Sequence, residues 1–342
     1  MDLKDCTQDE LARWLTVRGH KPFRAQQVLK WVHQHRLTDM GQMSNVPLAL
    51  RAELPQHFRL TRLDCSGHTA AADGTEKYLF TLSDGRRIES VFIPSENRRT
   101  LCISSQVGCA MGCQFCATAQ VRPVRDLTAG EIVSQIWEVQ YRRPPHEAVT
   151  NVVFMGMGEP LANYDQVVKA ITILTAAWGY KLSPRRITVS TVGLVPQMRR
   201  LLHDTQVNLT ISLSATTDAV RNTLMPINRR YPLATVLEAC RSLPIAPRNR
   251  MTFAYTLLDG LNDSSADAQR LVSLLHGIRA KVNLIPFNSF PGASFAPSSR
   301  ERLVRFRQIL LDRGIYASIR ESRGQDVQAA CGQLAAPLEQ AA

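Results

Sequence analysis

The chain carries the stretch Gly108-Cys109-Ala110-Met111-Gly112-Cys113-Gln114-Phe115-Cys116, in which three cysteines follow the spacing C-x3-C-x2-C. Three thiolates in one tight loop suit a 4Fe–4S cube that keeps one iron without a protein ligand. The main alternative is a structural zinc ion, which usually takes four ligands. The nearest histidines, His68 and His146, lie far away in the sequence. The spacing therefore predicts an iron–sulfur cluster with one open iron.

Bulk composition sets the broad class of the protein. With 342 residues, 44% of them hydrophobic, the chain can bury a sizeable core and form two or three domains. It has no apolar run near the roughly 18 residues that span a bilayer, and its start lacks a signal pattern. We therefore expect a soluble cytoplasmic protein with no membrane partner. Eight cysteines without regular spacing indicate reduced thiols, and a net charge of +12 favours a polyanionic partner such as RNA or DNA.

Hydrophobic periodicity divides the chain into regions. Apolar residues recur at helical spacing after Thr7 and after Pro22, with basic residues beside them. Alternating strand patterns at 78–82 and 88–93 flank a turn sequence. We predict an N-terminal helical accessory domain at 1–55, a β-hairpin-containing connecting region at 56–98, an α/β core at 99–335 and a short C-terminal tail at 336–342.

Short apolar runs alternate with amphipathic segments throughout the core. The strand candidates are 101–104, 151–155, 186–190, 208–213, 252–256 and 281–286. The helix candidates include 128–141, 165–177, 233–243, 264–276 and 299–313. This alternation predicts an α/β fold with a parallel sheet, and six such units would form a partial (βα)6 barrel. Barrels of this kind carry their chemistry at the C-terminal ends of the strands.

Polar and glycine residues stand where the predicted strands end. The cysteine loop follows the first strand, and Gly158 and Glu159 follow the second. Glycine lets the backbone approach a ligand closely, and a carboxylate could hold an ammonium group. The loop resembles that of radical S-adenosylmethionine (SAM) enzymes, in which the open iron chelates the amino acid end of SAM. Ser190 and Ser212 end the next strands, where they could hold a carboxylate or ribose, or form simple strand-end hydrogen bonds.

Two isolated cysteines are candidates for thiol chemistry. Cys331 is flanked by alanine and glycine, so no bulky neighbour in the sequence guards its sulfur, as suits a nucleophile. An inert structural thiol is the alternative. Cys102 lies on the strand that leads into the cysteine loop, where a buried strand residue is the simpler interpretation.

These residues together resemble the RlmN/Cfr family of radical SAM RNA methyltransferases, which methylate carbon 2 or carbon 8 of an adenine base. The similarity extends over nearly the whole chain. It is carried by Phe23-Arg24-Ala25-x-Gln27, Ser104–Cys109, Met155–Pro160, Pro226-Ile227-Asn228, Asn283–Asn288 and Ala330–Leu334. The joint occurrence of these motifs in this order is very specific.

The resemblance implies a role for each matching position. Cys109, Cys113 and Cys116 would bind the 4Fe–4S cluster. Cys331 would be the S-methylcysteine intermediate, Cys102 the resolving thiol and Glu89 the proton acceptor. The family's SAM-contacting positions are Gly158, Glu159, Ser190, Ser212, Leu213, Ser214 and Asn288. Ser214 departs from the family, which usually has histidine there.

The resemblance also implies the mechanism and the partners. Cys331 would take a methyl group from one SAM, and a second SAM would give the radical that removes hydrogen from this methyl group. The resulting carbon radical would add to the adenine and form a transient protein–RNA crosslink. Glu89 would then take the ring proton while Cys102 attacks Cys331 and leaves a disulfide. The implied substrates are 23S rRNA and also tRNA, and the implied electron donor is one such as flavodoxin. We expect a monomer.

Three functional interpretations remain open on the sequence. Pro160 and the run Ile285–Gly292 favour carbon-2 methylation. Ser183-Pro184-Arg185-Arg186 and Gln206–Thr210 are closer to the carbon-8 enzymes. A non-catalytic, zinc-stabilised RNA-binding protein is the alternative from another class. We favour the carbon-2 RNA methyltransferase.

Overall fold

A mixed sheet of ten strands organises the molecule. The computed structural model describes residues 1–122, 124–245 and 250–335, and the tail predicted at 336–342 lies outside them. The strands are β1 Asp64–Ala70, β2 Glu76–Thr81, β3 Arg87–Ser95, β4 Arg98–Ile103, β5 Gln106–Val107, β6 Arg125–Asp126, β7 Asn151–Phe154, β8 Ile187–Thr191, β9 Asn208–Ser212, β10 Met251–Leu257, β11 Ala280–Pro286 and β12 Tyr316–Ile319. The sheet runs β1-β2-β3-β4-β7-β8-β9-β10-β11-β12, and β5 pairs with β6 separately.

Seven of these strands, from β4 to β12 in the sheet, run parallel to one another. Their side chains toward the core are mostly Val, Ile, Leu and Phe, as in a sheet buried on both faces. The expected α/β partial barrel is therefore confirmed. The sequence predicted six parallel strands, and the structure adds β12. Its sequence, Tyr-Ala-Ser-Ile, is too short and mixed to form a recognisable apolar run.

Ten α-helices accompany the strands in the described parts of the chain. They are α1 Gln8–Val17, α2 Arg24–His33, α3 Leu48–His57, α4 Ala129–Tyr141, α5 Tyr164–Thr175, α6 Val195–Asp204, α7 Asp218–Leu224, α8 Leu233–Ser242, α9 Ser265–Leu274 and α10 Arg300–Asp312. Threonine and serine side chains cap several of them; Thr7, Thr128 and Ser264 each complete a capping box. None of the described helices combines the length and hydrophobicity needed to cross a bilayer.

The predicted hairpin forms and joins the main sheet. Strands β2 and β3 pair antiparallel, with Leu79 opposite Glu89, and β3 pairs antiparallel with β4. Strand β3 extends through Pro94 to Ser95, beyond the predicted end of the hairpin strand. Strand β1 adds a further antiparallel edge that the sequence did not predict. Its Asp-Cys-Ser-Gly-His-Thr-Ala sequence is exposed and only weakly alternating, so hydrophobicity gives no strand signal.

The N-terminal helices pack on the outside of the core through α4. Trp137 of α4 is fully buried, and its indole Nε1 donates to the backbone oxygen of Val32, 2.9 Å away. The ammonium of Lys4 lies over the Trp137 ring at 4.2 Å from its centroid. The apolar faces of α1 and α2 share one continuous hydrophobic cluster with the core strands. The N-terminal helices are thus fixed to the parallel sheet by buried contacts.

Candidate active site

The three motif cysteines line one cavity at the C-terminal ends of the parallel strands. We call this space, of about 160 Å³, the cluster cavity. Gly108 starts the loop at φ +70°, where an added Cβ would lie 2.5 Å from the oxygen of Val121. Only glycine fits this close approach. The loop then closes on itself, since the N–H of Cys116 donates to the oxygen of Cys113 at 3.2 Å.

The environment of these thiols fits an iron–sulfur cluster. Burial raises the pKa of Cys109 to about 12, and it raises the pKa of Cys113 and Cys116 as well. The neighbouring thiols add to the cost of ionising each one. Metal cations remove that cost by taking the place of the protons. No His, Cys, Asp and Glu side chains in the described ranges are grouped to hold a single metal ion, whereas in a cube each thiolate binds a different iron.

Strand β7 delivers the glycine–glutamate pair to the wall of the same cavity. Gly158 has φ +99°, and an added Cβ would lie 2.6 Å from Cβ of Gln106. Glu159 is buried, and its carboxylate accepts hydrogen bonds from the N–H groups of Leu161 at 3.1 Å and Val192 at 2.9 Å. Burial raises the pKa of Glu159 to about 7 despite these bonds. The cavity thus holds a carboxylate that is poised between its two protonation states near neutral pH.

The other predicted SAM positions divide into two groups. Ser190 of β8 and Ser212 of β9 both line the cluster cavity, with their Oγ atoms 3.5 Å apart. Asn288 also lines it, while its Nδ2 donates to the oxygen of Cys331 at 3.0 Å. Leu213 and Ser214 lie behind this wall, fully buried. The backbone oxygen of Ser214 accepts a hydrogen bond from Nδ2 of Asn262 at 2.7 Å. The structure therefore brings three of these five side chains to the cavity.

A second cavity, of about 370 Å³, adjoins the first and contains both isolated cysteines. We call it the thiol cavity. Cys102 of β4 lines it from the sheet, and Cys331 lines both cavities. All described cysteines are free thiols. Burial raises the pKa of Cys102 to about 12, and the nearby Cys331 sulfur opposes its ionisation further. Residues from opposite ends of the core thus meet at one place.

The segment that carries Cys331 is bound directly to the cysteine loop. The N–H of Ala117 donates to the oxygen of Gly332 at 2.7 Å, and the Thr118 hydroxyl donates to the oxygen of Leu334 at 2.6 Å. Gly332 has φ +86°, and a Cβ there would lie 3.1 Å from the oxygen of Phe115. The predicted methyl carrier is therefore held next to the predicted cluster by backbone contacts.

Glu89 does not line either of these cavities. It is buried on β3 and lines a third space together with Lys77, whose Nζ lies 3.2 Å from Glu89 Oε1. Its other oxygen accepts the N–H of Ala335 at 2.9 Å. Burial raises the pKa of Glu89, and Lys77 opposes that rise.

Two arginines near the site were not predicted from the sequence. Arg221 is fully buried and donates to the oxygens of Val192 at 2.8 Å and Leu213 at 3.2 Å, which ties the ends of β8 and β9 together. Its Nη1 also donates to Asn228 Oδ1 at 2.8 Å. Arg320 follows β12 and lines both cavities. Neither arginine had a signal in the sequence, because the motif Pro226-Ile227-Asn228 contains the partner Asn228 but does not point to Arg221.

Fold and site together define the class of protein. A three-cysteine loop after the first strand of a parallel partial barrel, with a ligand cavity at the strand ends, is the architecture of a radical SAM enzyme. Residues 103–272 match the Radical SAM superfamily. Residues 1–60 match the Ribosomal RNA large subunit methyltransferase N-terminal domain.

Comparison with complete proteins identifies the family. The chain is 51% identical over 339 residues to the "Dual-specificity RNA methyltransferase RlmN" of Syntrophotalea carbinolica, covering 99% of this chain and 90% of that protein. It is 49% identical to the protein of the same name from Geobacter sulfurreducens, and the match covers 99% of this chain and 93% of that protein. A radical SAM methyltransferase from Sphaerobacter thermophilus superposes with a TM-score of 0.93 at 44% identity, covering 98% of this chain and 100% of the other. The chain belongs to the RlmN family of radical SAM RNA methyltransferases.

Family membership confirms two expectations. The protein is an enzyme, so the alternative of a non-catalytic, zinc-stabilised RNA-binding protein is set aside. Radical SAM enzymes use a 4Fe–4S cluster and SAM, which are the cofactors of this family. The three cysteines of the loop supply thiolates that suit the cluster. The Glu159 carboxylate and the hydroxyls of Ser190 and Ser212 line the same cavity and supply polar groups that suit SAM.

Proposed function

We propose that this protein methylates carbon 2 of an adenine in 23S rRNA and in tRNA, through an S-methylcysteine on Cys331. The observation that carries the proposal is the position of Cys331. Its side chain lines the cavity of the three motif thiols and also the cavity of Cys102. A methyl carrier needs to meet SAM on one side and a resolving thiol on the other. The RlmN relatives are named as dual-specificity RNA methyltransferases, which supports an RNA substrate.

In this proposal the chain binds its cofactors with the residues around the cluster cavity. Cys109, Cys113 and Cys116 hold the cluster, and the Glu159 carboxylate faces the ammonium of SAM. Gly158, Ser190, Ser212 and Asn288 contact the remainder of SAM. Leu213 and Ser214 support these positions from behind the wall, as their burial favours. When bound, the cluster and SAM supply the one-electron chemistry that activates the S-methyl group.

The other side chains act on the methyl group and on the adenine. The Cys331 thiolate accepts a methyl group from one SAM, and a second SAM is consumed in activating it. After the methylene radical bonds to the base, Glu89 accepts the ring proton and the adduct gives back the one electron that cleavage of the second SAM consumed. The Cys102 thiolate then attacks the Cys331 sulfur and forms a disulfide. The carbon–sulfur bond breaks, and the released carbon takes up a proton to become the methyl group of the RNA. In the structure the Glu89 carboxylate accepts the N–H of Ala335 and pairs with the ammonium of Lys77. The Cys331 segment therefore has to shift before this carboxylate reaches the base.

The positions of the subfamily motifs support carbon 2 over carbon 8. Pro160, Phe287 and Asn288, from the runs that favour carbon 2, line the cluster cavity. Ser183–Arg185 and Gln206–Leu209, from the runs closer to the carbon-8 enzymes, line a separate space at the start of β8 and β9, at the opposite end of the parallel strands. Of these runs, Thr210 lines the cluster cavity.

The proposal extends to the organisation and partners of the protein. An N-terminal domain at 1–55 would contact RNA, the region 56–98 would connect it to the core at 99–335, and an electron donor such as flavodoxin would reduce the cluster. We propose a monomer in the cytoplasm. The match of residues 1–60 to an N-terminal domain of ribosomal RNA methyltransferases and the charge of +12 support this assignment of the RNA contact.

One reaction tests the function. The protein is reconstituted with iron and sulfide without oxygen, then mixed with reductant, SAM and unmodified 23S rRNA or tRNA. Nucleosides from the digested RNA are compared with standards by mass spectrometry. We expect 2-methyladenosine, with one S-adenosylhomocysteine and one 5′-deoxyadenosine formed for each methyl group. Formation of 8-methyladenosine would overturn the regiochemistry, and no methyladenosine on either RNA would overturn the substrate.

The thiol roles need their own variants. Cys331→Ala should abolish methyl transfer, and Cys102→Ala should accumulate protein covalently bound to RNA, visible on a denaturing gel. Cys65→Ala is the matched control, because Cys65 is a half-buried thiol on β1 that lines neither cavity. Normal turnover by Cys102→Ala would exclude the resolving role.

A further inference from the structure

The residues after β12 form a charged wall that the proposed reaction does not use. Arg320, Glu321, Ser322 and Arg323 all line the thiol cavity beside Cys102 and Cys331. Arg320 is also part of the cluster cavity. It stands at the C-terminal end of the last parallel strand, where barrels of this kind place their functional side chains.

The two arginines of this wall differ in their partners. The Arg323 guanidinium donates from Nη1 to the oxygen of Pro94 at 2.8 Å. The Arg320 guanidinium has no carboxylate or carbonyl partner in the described parts of the chain; its Nη1 contacts the Met155 sulfur at 3.9 Å. A thioether is a weak acceptor. Arg320 thus keeps most of its hydrogen-bonding capacity and its full charge for a group inside the cavity.

Met155 connects Arg320 to Cys102. Met155 directly follows β7, the strand that pairs with β4 through Val153 and Cys102. Its sulfur contacts the Arg320 guanidinium, and Met155, Cys102 and Arg320 all line the thiol cavity. The charged side chains of that cavity are Arg320, Glu321 and Arg323, which follow β12, and the Cys331 thiol lies there with them.

Cys102 needs such a cation if it is to react. The thiolate, not the thiol, is the nucleophile. Burial favours the thiol form of Cys102, and a negative Cys331 sulfur favours it further. Arg320 is the charged side chain whose attraction opposes these two effects. An opposite charge within about 4–6 Å lowers the pKa of an acid by roughly one to three units.

We propose that Arg320 is a positioning residue that stabilises the thiolate of Cys102. The inference deepens the proposed function and rests on the resolving role of Cys102. Arg323 carries the same charge in the same cavity but is bound to a backbone oxygen, so it does not share this role.

Alkylation of Cys102 as a function of pH measures its ionisation directly. The reconstituted, reduced holoprotein is treated briefly with iodoacetamide, and labelling is located by tandem mass spectrometry of the tryptic peptide Thr100–Arg125. Bound iron protects the three motif cysteines in that peptide. The quantity compared is the rate of Cys102 labelling at fixed pH between about 7 and 9, well below its pKa of about 12, where the rate follows the thiolate fraction. In Arg320→Met we expect this rate to fall about tenfold at each pH, as for a pKa higher by about one unit. Arg320→Lys, which keeps the charge, should restore most of the native rate.

Arg323→Met is the matched control. It removes the other arginine of the same wall and should leave the rate of Cys102 labelling unchanged. An unchanged rate in Arg320→Met, or an equal fall in Arg320→Met and Arg323→Met, would overturn the inference. If Arg320→Met does not fold, Arg320→Gln provides the same neutral comparison with a polar side chain.

A turnover experiment separates this inference from the proposed function. With RNA and SAM, Arg320→Met should accumulate the protein–RNA adduct, and raising the pH should speed its decay about tenfold per unit because the thiolate fraction rises. The adduct of Cys102→Ala should persist at every pH. A lowered labelling rate in Arg320→Met together with normal turnover by Cys102→Ala would leave the Arg320 effect intact and exclude the resolving role alone.

Discussion

The cysteine loop and the Cys102–Cys331 pair are two thiol sites built in opposite ways. The loop takes its three thiols from residues 109–116, and its shape depends on local contacts such as the positive φ of Gly108. The pair takes one thiol from the first parallel strand and one from the end of the core. Its members meet because long-range contacts hold the Cys331 segment in place, among them the hydrogen bonds to Ala117, Thr118 and Asn288.

Under the proposed function, this difference separates the residues that bind the cofactor from those that use it. A local site keeps its geometry as long as the loop folds, because its ligands are close in the chain and lose little conformational entropy on ordering. A site assembled from distant segments depends on each long-range contact that holds them. Changes in the loop should therefore remove the cofactor, whereas changes in the pair should leave the cofactor and stop the chemistry.

The largest effect is expected from Cys113→Ala. Cys113 is the buried central thiol of the loop, and without it the cube loses a ligand. We expect loss of bound iron, of the broad visible absorption of an iron–sulfur protein and of all methylation. Cys331→Ala should also lose methylation but keep its iron and colour. The test is to compare the iron content and visible absorption of the two variants, prepared side by side without oxygen. Equal iron loss in both would show that the cysteine loop and the Cys102–Cys331 pair do not differ in this way.

Gly158→Ala should weaken SAM binding strongly. The alanine Cβ would lie 2.6 Å from Cβ of Gln106 at a φ of +99°, so the strand end next to the cavity has to move. We expect a loss of roughly 1–3 kcal/mol in SAM binding, about five- to 150-fold in Kd, measured by calorimetry. Gly260→Ala is the control, since Gly260 has φ +69° with nothing within 4 Å of an added Cβ. Equal losses of SAM affinity would contradict the local explanation.

The affinity for SAM should depend on pH through Glu159. Burial raises the pKa of Glu159 to about 7 in the empty protein, and the proposed partner of the ammonium is the ionised form. Lowering the pH through 7 protonates the carboxylate, so SAM affinity should fall about tenfold per unit below that point. Glu159→Gln should bind weakly without this pH dependence. A pH-independent Kd in the native protein would exclude the pairing.

Thr118→Val tests the binding of the Cys331 segment. The valine has nearly the shape of threonine but removes the hydrogen bond to the oxygen of Leu334 and leaves that buried oxygen without it. Such a change costs about 1 kcal/mol, so we expect methylation to slow about fivefold. Iron content and SAM binding should not change. A loss of iron would show that the two thiol sites are not independent.

The smallest effect is expected from Ser214→Ala. The Ser214 hydroxyl accepts a 3.3 Å hydrogen bond from the N–H of Thr256, and its side chain lies behind the cavity wall. Its removal should change the Kd for SAM by less than about threefold. A tenfold or larger change would mean that Ser214 contacts SAM directly, as histidine would at this position in most of the family.

Much of the fold followed from periodicity, and the misses have physical causes. Strand–helix alternation and the hairpin turn were strong signals because several residues contribute to each. Strands β1 and β12 were missed because they are short or exposed, so their pairing depends on the neighbouring strand and not on their own hydrophobicity. Among the site residues, Arg221 and Arg320 gave no signal, because arginine is usually a surface residue and only burial or a cavity distinguishes it.

The sequence by itself determined the cluster loop and the positions of Gly158, Glu159, Ser190 and Ser212, because these depend on spacing within a loop and on where strands end. Only the tertiary structure decided which residues share a cavity. It placed Cys102, Cys331 and Arg320 around one cavity. It also buried Leu213 and Ser214 behind the cavity wall and paired Glu89 with Lys77. These relations depend on contacts between segments far apart in the chain, and no local pattern of residues encodes the direction in which such segments meet.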